Sequence, residues 1–132
     1  MKYLLDSDIL FSMLRGQHGI QEKIYRIGLE KCRVSEISLA ELYVGAYKRN
    51  DRKAFGQAEF TRENFELVPV SGTIRTYAEL RAALERAGRK LDSMDLLIAA
   101  AALEHRLTLV TNNVKHFSRI PGLAVENWIQ TV

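Results

Sequence analysis

The sequence predicts an α/β fold in which a short, mainly parallel sheet is covered by helices on both faces, and three observations predict it. Short apolar runs of strand length alternate with segments whose apolar residues recur at helical spacing. No Asn-Gly or Asp-Gly hairpin turn joins two of those runs, so successive strands are expected to be connected through helices. The length of 132 residues suits one core, so residues 1–132 are expected to form a single domain.

Residues 2–5 are apolar apart from Lys2 and end at Asp6, which predicts a buried strand with an acid at its C-terminal end. Ile9, Leu10, Met13 and Leu14 follow at helical spacing, and Gly16 stops that helix. A second amphipathic stretch covers residues 20–29, and residues 32–37 form a weaker strand interrupted by Arg33, Ser35 and Glu36. From Ser38, the spacing of Leu39, Leu42, Tyr43, Ala46 and Tyr47 predicts a helix with one apolar face. The charged residues 48–53 lead into a helix carrying Phe55, Ala58 and Phe60. Residues 67–70 then form a strand that Pro69 confines to an edge or a terminus.

Residues 71–87 read as one long helix closed by Gly88, with Tyr77, Leu80, Leu84 and Ala87 on one side. Residues 94–104 predict a buried helix, 107–110 a strand, 111–113 a polar turn, and 124–126 a last strand before Trp128.

Composition excludes several classes. At 47% hydrophobic and 27% charged, with 8 Gly and 2 Pro, the chain is neither disordered nor collagen-like. Cys32 has no second cysteine to pair with, which excludes a disulfide scaffold and points to the cytoplasm. The longest apolar run, Leu96 to Leu103, is far short of the roughly 20 residues that span a bilayer, so no membrane insertion is expected. A net charge of +3 permits a polyanionic partner without demanding one.

The chemistry is carried by acids. In open parallel sheets ligands bind outside the carboxyl ends of the strands. Asp6 to Asp8, Glu41 and Thr111 to Asn113 are predicted at those ends, and Asp95 stands in the first turn of an otherwise apolar helix. Helix capping explains each acid singly: Ser38 to Glu41 fits a capping box, Asp6 or Ser7 suits the first helix, and Asp92 or Ser93 the one containing Asp95. Together they form a cluster of like charges that a hard dication relieves, and Mg²⁺ accepts one or two carboxylates beside water and phosphate oxygens. Hydrolysis of a phosphodiester follows from that chemistry.

LLDSDIL at the N-terminus, ISLAELYVGA around Glu41, DSMDLLIAAAALEHRLTLVTNN across Asp95 and HFSRIPGLAVENW near the end resemble PIN-domain ribonucleases, above all the VapC toxins of type II toxin–antitoxin systems. The resemblance implies a PIN-like α/β/α sandwich, a catalytic set of Asp6, Glu41, Asp95 and Asn113, and Mg²⁺, with Mn²⁺ as substitute, on Asp6, Asp95 and Glu41. It also implies RNA as substrate, a VapB-type antitoxin as partner and a homodimer. Asn113 stands where many members have Asp, and it adds no charge. Ser7 is implied as a supporting hydroxyl, and Asp8 as a solvent-facing helix start, with a ligand role as the alternative.

Lys48, Arg49, Arg52 and Lys53, with Arg86, Arg89 and Lys90, are candidate RNA-facing cations. His18, His105, His116 and Trp128 are assigned to surface or packing roles. Tyr43 and Tyr47 are expected to pack, with an antitoxin groove as the alternative. The rival functions are a PIN module that binds RNA or a partner without cutting, and a phosphoacceptor receiver domain. The receiver is set aside because the mid-chain strand ends in Pro69 and Val70 and Asp95 opens a helix.

Overall fold

The computed structural model describes residues 1–129, and its five strands form one sheet in the order β3-β2-β1-β4-β5, with every pair parallel. The strands are β1 (Tyr3–Leu5), β2 (Cys32–Ser35), β3 (Glu66–Val68), β4 (Thr108–Val110) and β5 (Val125–Glu126). The helices are α1 (Ser7–Leu14), α2 (Ile20–Ile27), α3 (Glu36–Arg49), α4 (Arg52–Asn64), α5 (Ile74–Arg86), α6 (Ser93–Glu104) and α7 (Val114–Phe117).

Side chains alternate between faces along a strand, and that period of two splits the core. Leu5, in register with Val34 and Val110, packs with Ile9, Leu10, Ile24, Leu39 and Ala58 from α1 to α4. Leu4, in register with Leu109, points to the other face and packs with Ile98, Ala99, Ala102 and Phe117. Both faces are therefore covered. Four successive alanines in α6, Ala99 to Ala102, are all buried, their short side chains letting that helix lie close against its neighbours.

Pro69 follows β3 directly, and β3 is an edge strand as its proline requires. Trp128 is buried, stacks edge-on against Tyr3 at 5.1 Å and donates Nε1–H to Glu126 at 3.0 Å, a packing role.

Several boundaries differ from expectation for local reasons. The second strand stops at Ser35 rather than Ile37, because the Ser35 hydroxyl accepts the Ile37 N–H at 3.1 Å and caps α3. Ser38 is therefore no cap: it is buried inside α3 and its hydroxyl has no partner. The helix predicted over residues 71–87 opens instead as a 3₁₀ turn, Ser71–Thr73, stabilised by Thr73 Oγ1 donating to Val70 O at 2.7 Å. The one-turn helix α7 has no counterpart in the sequence pattern, being too short for any periodicity to show.

Candidate functional site

From β1 the chain steps outward through β2 to β3, while β4 and β5 lie on β1's other side, so the order reverses between β1 and β4. Such a reversal leaves a crevice at the carboxyl ends of the two strands. Asp6 follows β1 and Thr111 follows β4, and their backbones are tied across the reversal by Asp6 N–H donating to Val110 O at 2.9 Å.

Asp6 caps α1, its Oδ1 accepting the Ser7 N–H at 2.8 Å. Its Oδ2 accepts the Thr111 hydroxyl at 2.9 Å. The same hydroxyl lies 3.4 Å from Asp8 Oδ2, which also accepts the Asn112 N–H at 2.9 Å. One buried threonine thus bridges two carboxylates. Asp8 is half-buried and wired into the crevice, not solvent-facing as expected, and its Oδ1 is buried without a hydrogen-bond partner.

Burial, then the charge of Asp8, push the Asp6 carboxyl up to about 7, against the lowering effect of the Thr111 and Ser7 hydrogen bonds. Burial likewise raises Asp8, opposed by the N–H groups it accepts. Glu41 lies in the second turn of α3, past the cap, where its Oε2 accepts the Ser7 hydroxyl at 3.4 Å. Burial raises its carboxyl too, and the charges of Asp95, Asp92 and Asp8 add to the shift. Asp95 is half-buried in the first turn of α6 and raised by burial, while His116 beside it acts in the opposite direction.

The sequence-predicted residues therefore fall into two groups. Asp6 and Glu41 each come within electrostatic reach of Asp95 and of Asp8, and Asp95 within reach of Asp8. Asn113 is exposed and bonds through its backbone, its N–H donating to Thr111 Oγ1 at 3.0 Å. Thr111, expected from the sequence in the polar turn at the carboxyl ends of the strands, is the hydroxyl that joins the site. One participant escapes sequence reasoning. His116 reads as a surface or packing residue, yet its Nε2 lies 3.1 Å from Asp95 Oδ2; nothing in the sequence brings residues of α6 and α7 together.

Comparison with known proteins decides the family. The family model of the PIN domain matches residues 3–123. The chain belongs to the PIN-domain family. It is 39% identical to ribonuclease VapC2 of Rickettsia felis over 97 residues, 72% of each chain. It is 30% identical to the tRNA(fMet)-specific endonuclease VapC of Salmonella typhimurium over 132 residues, covering 97% of this chain and 98% of that one. Among solved structures, the VapBC2 complex of Rickettsia felis bound to a promoter DNA fragment superposes with a TM-score of 0.88 at 31% identity, covering 97% of this chain and 99% of that one. The mixed α/β fold with its parallel sheet is that of the PIN family.

PIN nucleases work with a divalent metal, and this donor set fits one. The ligating atoms on offer are all carboxylate oxygens, suited to a hard cation, and the orphaned Asp8 Oδ1 and the elevated Asp6 carboxyl mark a place short of positive charge. Among the described residues no three His, Cys, Asp or Glu side chains form a ready-made cage. Mg²⁺ needs none, since it is commonly held by one or two carboxylates and keeps several waters.

Proposed function

We propose that this chain, as a single PIN domain, is the toxin of a type II toxin–antitoxin pair: an endoribonuclease using Mg²⁺, with Mn²⁺ as substitute, held by Asp6, Asp95 and Glu41. The observation that carries the reading is the Thr111 hydroxyl shared between Asp6 and Asp8, an arrangement that holds a buried and a half-buried carboxylate side by side, despite their repulsion, at the fold's natural ligand crevice. A dication bound there would offset the acids' charge, acidify a water for attack on phosphorus and stabilise the developing phosphate charge.

The chain's own residues do the positioning. Thr111 and the Ser7 N–H fix both oxygens of Asp6, and the Ser7 hydroxyl orients Glu41 either to join the ligand set or to accept a hydrogen bond from the attacking water. His116 holds Asp95 in place. Exposed Asn113 offers an uncharged amide to a substrate phosphate or an ordered water. Water attacks phosphorus and the RNA P–O bond breaks, with no covalent enzyme intermediate.

The substrate class follows the relatives: tRNA or another structured or single-stranded RNA, cut in the cytoplasm. Among the described residues no helix is long and apolar enough to cross a membrane. A VapB-type antitoxin would find an apolar cleft of about 670 Å³ between α1, α2 and α4, bordered by the exposed rings of Tyr25 and Phe60. Homodimerisation would use the apolar side chains that α3 and α5 leave exposed, Val44, Tyr47 and Ile74.

A PIN module that binds RNA without cutting it is the second reading, favoured by the lack of a preformed three-residue cage among the described residues. Expressing the chain with and without its antitoxin, and mapping RNA 5′ ends in Mg²⁺, separates the two. New 5′ ends that vanish with Asp6→Asn support the nuclease; RNA bound and uncut supports the binding module.

A further inference from the structure

A second polar cavity lies at the far end of the groove that starts at the acids. Residues four apart share a helix face, so Ser7 and Phe11 continue towards Arg15 at the end of α1, while Glu41, Gly45 and Arg49 line one side of α3. The two helices pack together. At one end the Ser7 hydroxyl meets Glu41. At the other, Arg15 and Arg49 line one cavity of about 330 Å³. Eight residues at about 1.5 Å each place the ends about 12 Å apart, and Gly45 leaves the path between them without a side chain.

The cavity has an apolar floor, Phe11 and Leu42, and a cationic wall, Arg15, Arg49 and Lys53. Its groups are held in place. The Arg15 guanidinium sits 5.5 Å over the Phe11 ring, and Arg49 Nε–H donates to Gly45 O at 3.3 Å. Asp51, the acid in the lining, is spent on capping α4, its Oδ1 accepting the Lys53 N–H at 2.9 Å. Among the described residues, the side-chain ion pairs involve neither Arg15, Arg49 nor Lys53. The N-terminal end of α4, 13 residues long, offsets part of the Asp51 charge. Three such cations around one cavity suit a nucleic-acid strand, whose phosphates meet the cations.

We propose that this cavity is a subsite for a backbone phosphate of single-stranded RNA, a few nucleotides from the bond that is cut, with the strand laid along the α1–α3 groove. The inference rests on the nuclease reading for its direction. It selects Arg49 and Lys53 from the basic residues 48–53 and adds Arg15, which no sequence spacing connects to them. A polymer with a phosphate at every step accounts for both ends of the groove at once. An acidic peptide accounts for the cationic end alone.

The test is equilibrium binding of labelled oligoribonucleotides in EDTA, where no cleavage occurs, comparing the wild type with the double variant Arg15→Gln, Arg49→Gln. The RNA is about 12 nucleotides long, able to span the groove. The proposal expects it to bind the variant at least about tenfold more weakly, with a salt dependence shallower by about 0.7 for each phosphate that the variant fails to neutralise. With Mg²⁺ added, the same RNA is cut with raised KM and unchanged kcat, because binding remote from the reacting bond is uniform.

Arg75→Gln with Arg119→Gln, an equal loss of charge elsewhere, should leave all of this unchanged, and thermal melting verifies that each variant is folded. Unaltered affinity and salt slope overturn the proposal. So does loss of affinity for an acidic antitoxin segment with RNA binding intact. If no RNA is cut in Mg²⁺, the nuclease reading fails while the EDTA arm still decides the subsite.

Discussion

The two halves of the acid cluster are built differently. Asp6 and Asp8 stand at a strand end and the helix that follows it, and three separate donors reach them: the Ser7 N–H, the Thr111 hydroxyl and the Asn112 N–H. Asp95 and Glu41 stand within helices on either side, and each is held by one side chain, His116 at 3.1 Å and Ser7 at 3.4 Å. The sheet half is fixed by backbone pairing that cannot shift without breaking β1 from β4. The helix half has a single side-chain contact for each acid. A firmly tied pair facing a more lightly tied pair suits a cation that demands near-octahedral geometry and yet finds no finished cage among the described residues.

Substituting across the two halves is the most severe way to break that contrast. Asp6→Asn and Asp95→Asn remove charge and keep shape, and each should lower RNA cleavage more than about 100-fold while the protein remains folded, as followed by single-turnover kinetics and circular dichroism. A variant of either kind with full cleavage would remove that residue from the metal site.

The supporting groups should then rank by rigidity. Thr111→Val strips a buried hydroxyl from two carboxylates at once, and a loss of Mg²⁺ affinity of about 10- to 100-fold is expected by calorimetry. His116→Gln keeps a donor for Asp95 and should cost no more than about tenfold. If His116→Gln proves the more damaging, the helix half is the anchored one.

A smaller effect lies in the pH dependence of stability without metal. Asp6 ionises near the ordinary carboxylate value of 3.8 when unfolded and at about 7 when folded. Between those values the native state holds the extra proton, so this group's contribution is full below about 4 and is lost as pH rises towards 7. Melting temperature in EDTA should fall over that window, the fall should flatten in Asp6→Asn, and the stabilisation by added Mg²⁺ should be greater at pH 8 than at pH 5. The least effect belongs to Ser38→Ala, which removes a buried hydroxyl with no partner and should leave stability unchanged or raise it by up to about 1 kcal/mol in urea unfolding.

Much of the architecture is legible in the chain because period and punctuation are local. The alternation at Leu4 and Leu5, the glycine after α1 and the proline after β3 each act within a few residues, and each element they predict is present. What fails is also local, but balanced. Ser35 and Ser38 both suit a cap, and the difference is where β2 stops pairing with β3, at Ser35 opposite Val68. That register belongs to the sheet. Of the acids, Asp6, Glu41 and Asp95 stand out by type and position, whereas the role of Thr111 needs β1 and β4 to lie side by side.

The order of residues was enough to specify a helix-covered parallel sheet with carboxylates at its carboxyl edge, since burial patterns and turn residues write themselves into neighbouring positions. Only the packed molecule decided that Thr111 joins Asp6 to Asp8, that His116 holds Asp95, and that Arg15 and Arg49 share a cavity. The reason is physical: hydrogen bonds and charges act over a few ångströms of space, and groups up to 105 residues apart reach that range only after the sheet has closed its register.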